Sequence, residues 1–375
     1  MKLQGIRVLD LSAFLPGPYL TLSMADHGAE VIKVEPPGGE HGRHIGTPPG
    51  AFFRNLNRGK KSVVIDLKDP DGREALLALA ETADVFVESF RPGVVARLGV
   101  DYASVRARNP RIVYCSVSAF GQHGPHVGRP AHELATEGMA GVLSVSLGND
   151  EQPAIPGLPW GDLLAGLQGL SGVLMALLRR EATGQGDYVD ISMYDAVVGA
   201  SLNVLGPSLV EDRQPIARHE RTTGGSAFYR LYRTRDGRHL ALAGQEEKFV
   251  RALLQALGRP DLVAPCLQGP GPHQAPVMAF LEESFLERTQ AEWLAWLEGR
   301  DICYGPVLTF PEMLRDPHLA ARGMVLRDEA GSRHIGPPIA FVQEPARPVL
   351  RAPALGEHTD ALLTGRRTTG NEQEA

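Results

Sequence analysis

The stretch 6-IRVLDLSAFLPGPYLTLSMADHGAEVIKVEPPGG-39 decides the fold. "IRVLDL" (6–11) has the apolar run of a strand. "YLTLSMADHG" (19–28) is helical and stops at Gly28, and "EVIKVE" (30–35) is a second strand closed by "PPGG". Strand, helix and strand in this order form a βαβ unit, whose two strands run parallel. The alternation continues outward. "KSVVIDL" (61–67) is a strand, and "DPDGREALLALAETA" (69–83) is a helix with Asp69 as N-cap and Pro70 at its first position. "DVFVESF" (84–90) and "RIVYCSVSAF" (111–120) are further strands, with the short helical pieces "VVARLG" and "YASVRAR" between them. This order predicts an α/β fold, a mostly parallel sheet with helices on both faces.

The middle of the chain is helical over roughly 132–147, 162–181 and 193–210, with a strand "YVDISM" at 188–193. The polar, Gly-containing segment 210–228 marks a domain boundary. After it come a hairpin turned on Asp236-Gly237 and helices near 246–257, 274–287 and 289–299. "GMVLRDEAGSRHIGPPIAF" reads as another hairpin, and the element order suggests that the C-terminus returns to the first domain.

A chain of 375 residues, 43% hydrophobic, can bury a substantial core in one large domain or in a large and a small one. Its net charge of −6 and its lack of any strongly basic stretch argue against a nucleic-acid partner. Cys115, Cys266 and Cys303 are odd in number and far apart, which suits a reducing cytoplasm and no disulfide framework. The start "MKLQGIRVLDLS" runs straight into a strand without a signal-peptide pattern. The longest apolar run, residues 163–178, is shorter than the ~20 residues a membrane span needs and reads as a buried helix.

Several chemistries are poorly served by the residues present. The loop "SAFLPGPY" lacks the G-x-G-x-x-G pattern that lets backbone approach a pyrophosphate, and no Walker A sequence occurs. "HGPHVGRPAHE" gathers His123, His126, His132 and Glu133, but Gly-Pro and Gly-Arg-Pro interrupt any element that would aim them at one ion, so no metal is expected. No G-x-S-x-G elbow is present, Cys115 sits mid-strand, and nothing near Cys303 would activate a thiolate. His132 and Asp162 remain. Each stands where an apolar helix begins, so each has an ordinary reading. Asp162 would be an N-cap, and His132 a polar residue of a first turn with Glu133 at the positive end of the helix dipole. The same placement disfavours imidazolium, leaving His132 neutral and able to take a proton. Backbone N–H groups at such ends can also receive an oxyanion. Gly138, Ala140, Gly141, Ala165, Gly166 and Gly169 permit close approach of these helices to each other or to a ligand.

The motif order resembles a known superfamily. "RVLDLSAFLPGPYLTLSMADHGAEVIKVEPPGG", "NRGKKSVVIDLKDPDGR", "VFVESFRPG", "SAFGQHGP", "GDLLAGLQGLSGVLMALLRREATGQGDYVDISMYDA" and "LGEHTDALL" together resemble the family III CoA-transferase and α-methylacyl-CoA racemase superfamily, over nearly the whole chain. The resemblance implies a Rossmann-like large domain over 1–210 plus 316–375 and a smaller α+β domain over 220–315. It also implies an interlocked, ring-like homodimer and an acyl-CoA substrate, with coenzyme A as part of that substrate and no prosthetic group. Asp162 matches the aspartate that both branches share. His132, in "AHELAT", falls on the racemase histidine, with Glu133 in place of the usual Asp and Ala135-Thr136 in place of Asn-Tyr. Glu246, in "EEKFV", falls on the racemase glutamate. "VVIDLK" resembles the adenine-binding turn, giving Asp66, Leu67 and Lys68, and "SFRPG" the pyrophosphate-contacting segment, giving Phe90 and Arg91. Arg43 is a further candidate cation, although "EPPGG" lacks the arginine that many relatives carry there. An arginine suits bidentate phosphate contact.

Two reactions follow from this resemblance. In the first, an isomerase racemises a 2-methyl-branched acyl-CoA through an enolate. His132 and Asp162 exchange the α-proton on opposite faces, Glu246 orients His132, and N–H groups near Asp162 or Gly121 hold the oxyanion. In the second, Asp162 is the nucleophile of a transferase that moves CoA between carboxylic acids through an aspartyl-CoA thioester. A third possibility is an acyl-CoA-binding protein without catalysis.

Overall fold

The computed structural model describes residues 1–148 and 150–363. It divides into two compact units, described separately. The first comprises Met1–Ala140, Gly157–Ala200 and, among the described residues, 317–363. Its centre is a six-stranded sheet of β1 (Arg7–Asp10), β2 (Glu30–Glu35), β3 (Lys61–Val64), β4 (Val85–Glu88), β5 (Val113–Ser118) and β6 (Tyr188–Ser192). Every neighbouring pair is parallel, and the order is β3-β2-β1-β4-β5-β6. This is the doubly wound order, with its topological switch between β1 and β4.

The helices of this unit are α1 (Pro16–Asp26), α2 (Ala51–Asn57), α3 (Pro70–Ala80), α4 (Val94–Leu98), α5 (Tyr102–Arg108), α6 (Glu133–Met139), α7 (Trp160–Thr183) and α8 (Met193–Ala200). Strand alternation sends side chains to two separate cores. Val8, Val31, Val85, Val113, Cys115 and Val117 pack with Leu20 and Met24 of α1 and Leu170, Val173 and Leu177 of α7. Leu9, Ile32, Phe86 and Tyr114 pack with Leu76 and Leu79 of α3 and Val105 of α5. Asp69 caps α3 through the Asp71 N–H at 3.1 Å, with Pro70 behind it, as the sequence predicts.

Small residues set the approach of α1 and α7. A Cβ on Gly166 would lie 2.8 Å from the Pro16 carbonyl oxygen, and one on Gly169 would lie 2.7 Å from Leu20 Cδ1. At 24 residues α7 is longer than its apolar run. Arg180 continues the helix and is buried against Asp84 at 2.9 Å, and the helix ends at Gly184 with φ 68°. By length and composition α7 could cross a membrane, but Ala165, Val173 and Leu177 pack it onto the sheet.

Two expected helices are broken. The one foreseen over 132–147 stops at Met139, because Gly141 takes φ 83° and a short 3₁₀ turn, Val142–Ser144, follows. The one foreseen over 193–210 ends at Ala200 and restarts as α9 (Gly206–Glu211), where Pro207 has no N–H to continue an earlier helix.

The second unit comprises Gly141–Pro156 and Ser201–Asp316. Its antiparallel sheet joins β7 (Arg230–Arg233), β8 (His239–Leu242) and β9 (Tyr304–Pro306), and the expected hairpin turns at Gly237 with φ 78°. Around it lie α10 (Glu247–Ala256), α11 (Val263–Cys266), α12 (Ala275–Phe285) and α13 (Gln290–Leu297). Tyr232, Leu240, Leu253, Phe285 and Trp293 form the core. In the first unit, the pair Val325–Arg327 and Arg333–Ile335 is antiparallel, as the second hairpin reading anticipates. The segment around His358 and Thr359 runs beside β3, where the His358 N–H donates to Ser62 O (2.9 Å) and the Val64 N–H to Thr359 Oγ1 (3.0 Å).

A buried ionic network joins the C-terminal end of β1 (Asp10), Lys33 within β2 and Lys60, the residue just before β3. Lys60 Nζ donates to Asp10 Oδ2 (2.9 Å), Thr21 Oγ1 (2.8 Å), Asn57 Oδ1 (2.8 Å) and Pro18 O (3.1 Å). Lys33 pairs with Glu40 at 2.6 Å and donates to Ser12 O. Burial alone would raise the Asp10 carboxyl, but Lys33 and Lys60 overcome it and hold that group far below the usual carboxylate range. Removing one partner of a buried pair leaves uncompensated charge, at a cost of about 3–5 kcal/mol. Lys60→Met is therefore expected to lower unfolding free energy by about that amount, read from urea denaturation.

Candidate active site

In an open parallel sheet the ligand crevice lies beyond the C-terminal strand ends, at the switch point. Here that place is made by the loop after β1, Ser12–Leu15, and the loop after β4, Ser89–Gly93. The two are tied together by the Ala13 N–H donating to Ser89 Oγ at 2.9 Å. The Ser12 N–H and hydroxyl both donate to the buried Asp10 carboxylate, at 3.0 and 2.5 Å. Directly after these anchors Phe14 takes φ 63°, a left-handed backbone that costs a non-glycine residue roughly 1–2 kcal/mol. Gly17 is needed beneath the loop, since a Cβ there would sit 2.2 Å from Ser12 Cβ. The result is an exposed Phe14 ring, edge-on to His132 at 5.9 Å and tilted against His41 at 6.0 Å.

His132 is the N-cap of α6, in extended backbone, with an exposed side chain that makes no capping bond. Asp162 is not an N-cap. Pro159 takes that place, and Asp162 is the third residue of α7, half-buried in its first turn. The two helix starts meet at Gly161, where a Cβ would lie 3.0 Å from Thr136 Oγ1 and 3.1 Å from Glu133 Cβ. Glu137, one turn past Glu133, is buried and accepts the Gly161 N–H at 3.1 Å. Burial first, then the charges of Glu133 and Glu137, push the Asp162 carboxyl up to about 7. It is therefore poised to hold or release a proton near neutral pH.

Glu246 lies in the second unit as the exposed N-cap of α10, without a side-chain cap bond. The oxyanion donors expected near Asp162 and Gly121 are partly taken. Glu137 occupies the Gly161 N–H, and the Asp190 carboxylate occupies the Gln122 N–H at 2.9 Å. Among the described residues no group of three or more His, Cys, Asp or Glu side chains could hold a metal, and the His126 ring rests against Phe120 at 5.4 Å.

The residues expected to hold CoA sit on the same sheet edge. Asp66, Leu67 and Lys68 follow β3, with Asp66 and Lys68 exposed and the Lys68 N–H turned back onto Asp66 Oδ1 at 2.9 Å. Gly72 lets α3 start against this turn, since a Cβ there would lie 2.2 Å from Asp66 O. Phe90 and Arg91 follow β4. The Phe90 N–H donates to Glu88 Oε2 at 2.8 Å, and the Arg91 side chain is exposed. Arg43 differs. It grips Glu35 with two bonds of 2.6 and 2.7 Å and lies 3.7 Å over the Phe53 ring. A phosphate would have to share or displace Glu35 to reach it.

Residues 3–359 match the family model described as CoA-transferase family III. The chain belongs to that family. Among curated relatives, the α-methylacyl-CoA racemase of Homo sapiens is 32% identical, over 97% of this chain and 93% of that protein. The succinyl-CoA:glutarate CoA-transferase of Mus musculus is 30% identical, over 96% and 85%. Among solved structures, a CAIB/BAIF family protein from Brucella suis superposes with a TM-score of 0.84 at 30% identity, covering 97% of this chain and 98% of that one. The superposition covers nearly the whole chain, and the named relatives include both a racemase and a CoA-transferase.

Two residues of this family III site were not singled out from the sequence. Glu137 is the acid one helical turn after Glu133, on a short helix otherwise made mainly of small and apolar residues. That i, i+4 spacing puts both acids on one face. Phe14 carries no sequence signal of its left-handed backbone, which follows directly on the tertiary anchors of Ser12 and Ala13.

Proposed function

We propose that this family III enzyme racemises 2-methyl-branched acyl-CoA thioesters. The observation that carries the reading is the pairing of two adjacent helix starts. One presents His132, and the other presents Asp162 with its carboxyl raised to about 7. The α-carbon of a thioester is weakly acidic, and its anion is an enolate with charge on oxygen. A neutral His132 takes the proton from one face while a protonated Asp162 gives one to the other. The reverse reaction starts from the imidazolium and the carboxylate, with the same number of protons in the site. Trp160 and Asp162 contribute first-turn N–H groups that have no acceptor within a helix, and these face the developing oxyanion. Glu246 orients His132 in the assembled enzyme, a homodimer in this reading. Asp66, Leu67, Lys68, Phe90 and Arg91 receive the nucleotide part of CoA, with Lys68 and Arg91 on its phosphates.

CoA transfer is the second reading, favoured by the likeness to a succinyl-CoA:glutarate CoA-transferase. There the Asp162 carboxylate attacks the thioester carbonyl and expels the CoA thiolate, giving a mixed anhydride. The thiolate returns to the aspartyl carbonyl and releases the first acid. The acceptor acid then takes CoA by the reverse steps.

Incubation in D₂O with a 2-methylacyl-CoA and no carboxylic acid separates them. Racemisation places deuterium at the α-carbon. Transfer leaves that carbon untouched and yields a hydroxylamine-trappable acyl-enzyme at Asp162.

A further inference from the structure

Glu137 is 1% exposed, and its two oxygens are treated differently. One accepts the Gly161 N–H at 3.1 Å. The other is buried and has no hydrogen-bond partner among the described residues. Gly161 is the second residue of α7, directly before Asp162, and the N-cap Pro159 offers no side-chain acceptor. α6 thus supplies a cap for the neighbouring helix. A neutral Gln would serve that N–H equally well and would leave no bare charge in a dry place, where an unpaired carboxylate oxygen is costly. What Glu adds over Gln is the negative charge itself.

We propose that Glu137 is a positioning residue that fixes the start of α7 and holds Asp162 in its protonated form. This rests on the reading of Asp162 as an acid/base group. The N-terminal dipole of α7 favours an anion in its first turn, which would keep Asp162 ionised. The Glu137 carboxylate sits on that same helix end and offsets the dipole. Two carboxylates in a half-dry site also disfavour joint ionisation.

Glu133, at the first position of α6, acts on Asp162 in the same sense, after burial and ahead of Glu137. Other titratable groups come from each packed element. His132 caps α6, and α8, which packs on both α6 and α7, carries Tyr194 and Asp195 in its first turn. α1 places the Tyr19 ring against Gly166, one turn beyond Asp162. β5 and β6 reach α7 farther along, at Gly169 and Gly172, through Cys115, Val189 and Ile191.

The test titrates Asp162 directly in the full-length protein without substrate. A carbodiimide labels protonated carboxyls, and peptide mass spectrometry reads the label at Asp162 against pH. In the wild type, labelling falls with a midpoint near 7. In Glu137→Gln, which keeps an acceptor for Gly161, the midpoint is expected to drop by about one pH unit. The same shift is expected in the Asp162 limb of the pH profile for α-proton exchange. An unchanged midpoint in folded Glu137→Gln overturns the proposal. Should that variant fail to fold, Glu137→Met removes the charge without a buried amide and is read the same way. The labelling midpoint needs no turnover, so a shifted midpoint without α-proton exchange retains the Glu137 assignment and refutes racemisation.

Discussion

Asp162→Asn is expected to lower turnover by about 10²–10⁴-fold and, at the same time, to make the protein more stable at pH 8. The first effect follows because Asn can neither accept nor give the proton, and is a poor nucleophile for the alternative reaction. The second follows from the raised carboxyl. The ordinary value is 3.8 and the folded value is about 7, so the folded chain binds this proton more tightly than the unfolded one. The stability Asp162 contributes is complete below about 3.8 and is lost as pH rises through about 7. At pH 8 the wild type holds a half-buried carboxylate beside Glu133 and Glu137, and Asn does not. Allowing for solvent screening of a half-buried group, the gain is about 1–2 kcal/mol at pH 8 and vanishes near pH 3. Paired urea titrations at the two pH values check the sign, and a variant less stable than wild type at pH 8 would refute it.

His132→Ala carries the other large effect, because it touches only one of the two candidate reactions. The imidazole is exposed, rests edge-on against Phe14, and makes no capping bond to α6, so its loss is expected to change stability by less than about 0.5 kcal/mol. If it is the second acid/base group, α-proton exchange falls by about 10²–10³-fold. Binding of CoA, read by calorimetry, stays within a factor of two or so, since the residues proposed to hold the nucleotide follow β3 and β4. Full exchange activity in this variant would remove His132 from the chemistry.

The fold was largely legible because its signals are local and repeated. Alternating strands and helices through residue 120, the Asp69-Pro70 start of α3 and the Asp236-Gly237 turn each impose one backbone outcome. The misread helix ends share one cause. Gly141 and Pro207 interrupt apolar periodicity that continues on either side, and periodicity alone runs through such breaks. In the site, His132 and Asp162 were visible as polar residues at the starts of apolar helices. Their surroundings were not, since these are tertiary facts. Gly161 brings α6 against α7, a buried Glu137 replaces the cap that Pro159 lacks, and Arg43 turns to Glu35 rather than outward. No spacing along the chain encodes those partners.

One measurement tests the central claim most directly. A single enantiomer of a 2-methylacyl-CoA is incubated with the enzyme in D₂O, with no carboxylic acid added. α-Deuterium content and optical purity are followed together. Two-base exchange across His132 and Asp162 predicts that deuterium enters the α-position as optical purity is lost, until a racemate remains. Retention of both the α-proton and the starting configuration, with CoA moving to an acid once one is supplied, would contradict it and establish the transferase instead.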